Sequence, residues 1–175
     1  MTSLPPNYNP FGSLDFYIGK DHHEIIKTYS NSSDDSDDQS STKIFHNMRE
    51  GWLIALALGV RLGIREQSVE RAKIGSAGYI KDPIAITFMI AVGINELCLK
   101  DNPIKVSNML EDEKINEILK ICEEYVNGGA RTLKTLIEKG KYKPDYMEKF
   151  SLNLLRFIED PASVQEEDGL SAVIQ

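Results

Sequence analysis

The chain has 175 residues, with 20 lysines and arginines against 27 aspartates and glutamates for a formal net charge of −7, and 41% of its residues are hydrophobic. A chain of this size fits one domain that buries roughly 70% of the surface its unfolded form exposes. Composition therefore excludes a wholly disordered chain, a collagen-like repeat and a disulfide-stapled mini-protein.

Residues 1–13 (MTSLPPNYNPFGS) are rich in Pro, Asn, Gly and Ser and follow no period, so they are expected to form an extended arm. They contain no basic cluster leading into an apolar stretch, which argues against a secretory or transit segment and for a cytoplasmic protein. Leu14 to Ile18 is a short apolar and aromatic run that either pairs as a strand or simply packs. Asp21 is placed to cap a short first helix, DHHEIIKTYS. Ser30 to Thr42 (SNSSDDSDDQSST) holds four aspartates and no apolar residue, and it reads as a solvated acidic loop. A calcium loop counted from Asp34 fails, because Gln39 falls where glycine is needed and Phe45 where a bidentate glutamate is needed.

A second helix is predicted from about Ile44–Asn47 through GWLIALALG to Gly59 or Gly63, with Trp52, Leu53, Leu56 and Val60 at three- and four-residue spacing. Residues 66–81, with Gly75, Ser76, Gly78 and Tyr79, suggest a loop or small hairpin. Asp82-Pro83 starts a third helix, Ile84 to Leu99, whose apolar character nearly all round places it at the centre of the core. The segment is too short and too polar at Thr87, Asn95 and Glu96 to span a membrane.

Ile115, Ile118, Leu119, Cys122, Tyr125 and Val126 define one face of a fourth helix. Asn127-Gly128-Gly129 is expected to stop it, and Ala130, Leu133, Leu136 and Ile137 start a fifth that closes at Gly140. Met147, Phe150, Leu154, Phe157 and Ile158 mark a sixth, ending at Asp160-Pro161. The expectation is thus an all-α domain of about six helices over 14–160, with a small β element near the N-terminus or within 66–81, and a frayed acidic tail over 161–175.

Catalytic motifs do not emerge. His22 and His23 point about 100° apart on a helix and suit no common metal. Cys98 and Cys122 lie at apolar helical positions and read as reduced thiols. No G-x-S-x-G elbow, P-loop, G-x-G-x-x-G or H-E-x-x-H occurs. The reading is a protein that is not an enzyme and carries no metal or cofactor. A hydrolase built from converging acidic groups is the weakest reading, because the acidic runs lie in loops and tails.

Two stretches are basic: 61–81 has five basic residues against two acidic, and 131–143 five against one. They are either ordinary solvated faces or, if folding joins them, a phosphate-binding patch of Arg61, Arg65, Arg71, Lys73, Lys81 and Lys134. The net charge opposes the second reading. Around Asn127-Gly128-Gly129 the readings also divide. The glycines either let one helix fold back on the other, or the amides opening the fifth helix, with Tyr125 and Arg131 nearby, form an anion or partner site.

Ile44 to Arg65 (IFHNMREGWLIALALGVRLGIR), the Asp82-Pro83-Ile84 helix start and Glu123 to Gly140 (EEYVNGGARTLKTLIEKG) together resemble the small DNA-phosphorothioation-associated proteins, the fourth of the Dnd-associated families. The resemblance covers about residues 20–158 and keeps Glu124, Tyr125, Asn127, Gly128 and Gly129 of an E-Y-x-N-G-G core, with Val126 in place of the usual alanine and Ala130 in place of leucine. It implies an accessory subunit of a bacterial defence or DNA-modification system, docking to a larger ATPase or nuclease. A DNA-binding adaptor that uses 61–81 and 131–143 is the alternative. The arm and the surface around the second helix and 61–81 are the expected docking surfaces.

Overall fold

A computed structural model describes residues 8–31, 43–100, 111–140 and 154. Phe16 and Ile18 alternate with the more exposed Asp15 and Tyr17, the two-residue period of a strand with one covered face. They form β1 (Asp15–Gly19). The chain passes directly into α1 (Lys20–Tyr29). Its cap position is Gly19, and no side chain caps it. The Asp21 expectation is therefore corrected: the helix starts earlier, leaving Asp21 inside the first turn, where its charge still favours the positive end of the helix dipole. The ends of the acidic loop are drawn together by Asn31 N–H to the Phe45 carbonyl at 3.0 Å and Phe45 N–H to the Tyr29 carbonyl at 2.9 Å. Residues 32–42 lie outside the described set.

α2 (Met48–Leu62) is bounded as its sequence demands. The Asn47 side chain accepts from the Arg49 and Glu50 amides at 3.0 and 3.2 Å, and Gly63 ends the helix at φ 67°, a backbone state that glycine adopts without steric cost. β2 (Arg71–Ser76) pairs antiparallel with β1, so 66–81 contributes one strand to a two-stranded sheet rather than a hairpin of its own. A bulge between Phe16 and Tyr17 leaves Ile74 as the extra residue of β2. A single 3-10 turn, Ala77–Tyr79, leads to α3 (Pro83–Lys100), where Asp82 Oδ1 accepts from the Ile84 amide at 2.9 Å.

The last described element, α4 (Asp112–Gly140), runs unbroken for 29 residues. The expected fourth and fifth helices are one, and the described residues contain four α-helices rather than six. The glycines do not end the helix because they serve its packing. A Cβ on Gly59 would fall inside the Tyr125 carbonyl, one on Gly129 inside the Ala55 carbonyl, and one on Gly128 against the Ile64 carbonyl. Close crossing of α2 and α4 needs small residues at the contact, since interaxial distance follows side-chain size there. This burial replaces the helix propensity lost at two glycines, about 1 kcal/mol each.

α4 is also the true centre. Every residue from Ile121 to Ala130 is buried, whereas α3 leaves Ile84 78% exposed. The placement of the third helix at the centre is corrected accordingly. A helix that is apolar all round can border the core, and α3 packs chiefly on α4. The expected arm is docked from Tyr8 onward: Phe11 is fully buried, and Asn9 Nδ2 donates to the Ala77 and Ile80 carbonyls at 2.9 and 3.0 Å. Of the expected sixth helix and the tail, only Leu154 is described, and it packs against the core half-buried.

Candidate functional site

The E-E-Y-x-N segment of α4 turns its polar side chains inward, each to a different neighbour. Glu123 and Asn127 are four apart on the helix, a rise of about 6 Å. Tyr17 and Gly19 are two apart on β1, about 6.8 Å. The spacings match, and the helix serves the strand in place of a third strand. Glu123 Oε1 accepts from the Tyr17 amide at 2.8 Å, and Asn127 Oδ1 accepts from the Gly19 amide at 2.7 Å. From α2, Trp52 Nε1 donates to the Tyr17 carbonyl at 2.9 Å. Asn127 Nδ2 also donates to the Glu66 carbonyl at 3.0 Å.

Beside this seam lies an ionic network. Arg65 grips Glu124 through Nε at 3.1 Å and through Nη2, and reaches Glu96 of α3 through Nη1 at 2.6 Å. The Tyr125 hydroxyl donates to the other Glu96 oxygen at 2.8 Å, and the Arg65 guanidinium lies over the Tyr125 ring at 5.5 Å. Gln67 Nε2 donates to Glu124 Oε1 at 3.3 Å. Arg71 pairs with Glu123 and stacks on Tyr17 at 4.5 Å. A cavity of about 150 Å³ opens between Arg71, Lys120, Gln67 and Ser68, with Glu123, Glu124 and Asn127 on its wall.

Burial sets the protonation of these groups. It pushes the Glu123 carboxyl above its ordinary range, and the field of Arg71 with the Tyr17 amide offsets that only in part. Burial opposes the Arg65 charge, but the bonds and fields of Glu124 and Glu96 outweigh it and hold the guanidinium above its usual value. Tyr125 is pushed up to about 12 by burial and by its bond to Glu96. Burial likewise raises the Cys122 thiol, whose Sγ donates to the Met89 carbonyl at 3.6 Å. A raised thiol of this kind is not a nucleophile at neutral pH.

The candidate residues meet different fates. Tyr125 and Asn127 belong to the network and Gly128 and Gly129 to the helix crossing. The expected helix start that was to offer free amides is absent, since positions 127–131 sit in mid-helix, so the anion-site reading loses its donors. Arg131 is exposed and pairs with Glu66 at 2.9 Å, linking the two basic stretches through an acid rather than merging them. Arg65, Arg71 and Lys73 are held by carboxylates, Lys73 by Asp15 at 2.6 Å, and Lys134 lies 3.9 Å from Glu138. Arg61 and Lys81 are exposed. Glu66, Glu96 and Glu123, which complete these pairs, go unmarked in the sequence because their partners are remote in the chain. Among the described residues no His, Cys, Asp and Glu group could hold a metal ion, and no helix is long and apolar enough to cross a membrane.

The fold and site define a small, mainly helical domain in which one long central helix holds both a two-stranded sheet and a partly buried ionic network. The chain belongs to the DNA sulphur modification system-associated protein 4 family, whose model matches residues 16–173. No curated protein and no solved structure matches it.

Proposed function

We propose that the protein is a non-enzymatic accessory subunit of a bacterial DNA sulphur modification or linked defence complex, located in the cytoplasm and docking to a larger ATPase or nuclease. Membership of a family associated with that modification system carries the reading. The chemistry of the E-E-Y-x-N segment supports it, because Glu123, Glu124, Tyr125 and Asn127 spend their polar atoms on β1, α3 and the 65–71 segment. A DNA-binding adaptor draws less support, since Arg65, Arg71, Lys73 and Arg131 already face carboxylates that compete with phosphate.

Co-expression with the proteins encoded beside it, followed by gel filtration at moderate salt, tests the proposal. A stable complex with one larger partner is the expected result. A lone chain retained on duplex DNA, with retention falling steeply as salt rises, would establish the adaptor instead.

A further inference from the structure

α3 turns one side to the protein and leaves the other to solvent. Inward it sets Ile86, Met89, Val92 and Leu97, all buried, and Gly93, where a Cβ would collide with the Ile118 side chain. Outward lie Ile84, Thr87, Ala91, Asn95 and Cys98, all exposed, with Phe88 and Ile94 half-buried along the margins. The single charged residue between 84 and 98 is Glu96, and its carboxylate is spent on Arg65 and Tyr125. The outer face therefore runs without a charge for about 21 Å of helix. A helix that is apolar nearly all round is normally enclosed, and an exposed uncharged face marks a contact.

The pattern of that face says what it contacts. Its five exposed positions are spaced three, four, four and three residues apart, and their chemistry repeats in reverse. Ile84 and Cys98 stand at the ends, where a reduced thiol behaves as a small hydrophobe. Thr87 and Asn95 come next, and among the described residues their side chains bond to no other group. Ala91 is the centre. A stripe that reads alike from both ends meets itself when turned about a two-fold axis across its midpoint, as an isologous contact requires. Ile84 then comes level with Cys98 of the second copy, Thr87 with Asn95, and Ala91 with Ala91. Apolar groups face apolar ones, the hydroxyl and the amide bond across the contact, and the small central residue lets the helix axes approach. The helix dipoles also oppose.

We propose that two copies of the chain associate through the outer faces of α3, packed antiparallel about a two-fold axis at Ala91. The palindrome selects a second copy, because an unrelated partner imposes no symmetry on the stripe. An uncharged face is also where a chain of net charge −7 can meet its own copy without setting like charges together. The inference is independent of the accessory-subunit reading.

Sedimentation of the full chain across a dilution series is expected to show a reversible dimer. Ala91→Arg places two cations together on the axis and is expected to weaken it about tenfold or more. Its thermal melt, taken at a dilution where the wild type is monomeric, is expected to match the wild type. Arginine nearly equals alanine in helix propensity, and position 91 faces solvent in the single chain. Oxidation reads the orientation. Antiparallel pairing holds the two Cys98 residues about 21 Å apart along the axis, outside disulfide reach, so the wild type stays uncrosslinked. Ala91→Cys in a Cys98→Ser background lies on the axis and is expected to crosslink, Cys122 being buried. A chain monomeric at every concentration, or a dimer indifferent to Ala91→Arg, overturns the proposal. So does ready crosslinking through Cys98, which makes the pairing parallel, or failure of Ala91→Cys to crosslink. A monomer destabilised by Ala91→Arg makes a segment of the same chain the cover, and one that loses a co-purifying protein makes that protein the cover. Either result overturns it too.

Discussion

Glu123 holds a carboxylate where water scarcely reaches, at 5% exposure. Its folded-state pKa lies above the unfolded value, so the folded chain binds this proton more tightly. The resulting stability is fully present below the unfolded pKa and is lost as pH rises through the raised folded one. Glu123→Gln keeps an oxygen for the Tyr17 amide and is expected to flatten that part of the stability profile, measured as urea midpoints from about pH 5 to about pH 8. Glu123→Ala leaves the amide unpaired and is expected to cost about 1–3 kcal/mol at neutral pH. Arg65→Gln abandons Glu96 and Glu124 to each other and is expected to cost about 3 kcal/mol by the same measurement. A DNA-binding test that changes Arg65 must therefore be read beside a melting curve. Counting charge along the chain registers Arg65, Arg71 and Lys73 as a basic stretch, because their carboxylates lie 59, 52 and 58 positions away. Only folding reveals the neutralisation.

At the scale of elements, the caps of α2 and the start of α3 were legible, whereas the start of α1 and the helix crossing were not. Asn47, Gly63 and Asp82 act through atoms within four residues of themselves, so local sequence predicts α2 and the start of α3. Asn127-Gly128-Gly129 carries the composition of a helix stop, but its glycines answer to Ala55, Gly59 and Ile64, far off in the chain. The signal that could reveal it is a pair of small-residue sites, Ala55 with Gly59 on one helix and the glycines on the other. Gly59→Ala or Gly129→Ala forces backbone apart and is expected to cost about 3 kcal/mol or more. Gly63→Ala meets open space and carries only the strain of φ 67°, about 1–2 kcal/mol. Thermal melts of the three variants check the contrast, and equal losses would mean that close helix approach is not what those glycines serve.

Across the whole molecule, periodicity identified the mainly helical class but misplaced its centre and its beginning. Hydrophobicity ranks α3 first, yet α4 is central because its polar residues are satisfied inside rather than excluded from the interior. A Pro- and Asn-rich segment likewise has no local pattern to announce that Phe11 fills the core. Phe11→Ala is expected to cost about 3–5 kcal/mol, and deletion through Ser13 to cost at least as much, read as a lowered melting temperature. An unchanged melt would return the segment to the role of a detachable arm. Docking assays on N-terminal truncations accordingly need a stability control.

Trp52 is the only indole in the chain, fully buried, bonded to the Tyr17 carbonyl and edge-on to Phe16 with ring centroids 5.0 Å apart. It sits where α2 meets β1, and its emission is thus a native optical gauge of that junction. Blue-shifted fluorescence marks a seated sheet and a red shift marks its departure, so a label-free sample distinguishes release of the strands from melting of the helices, which circular dichroism follows separately.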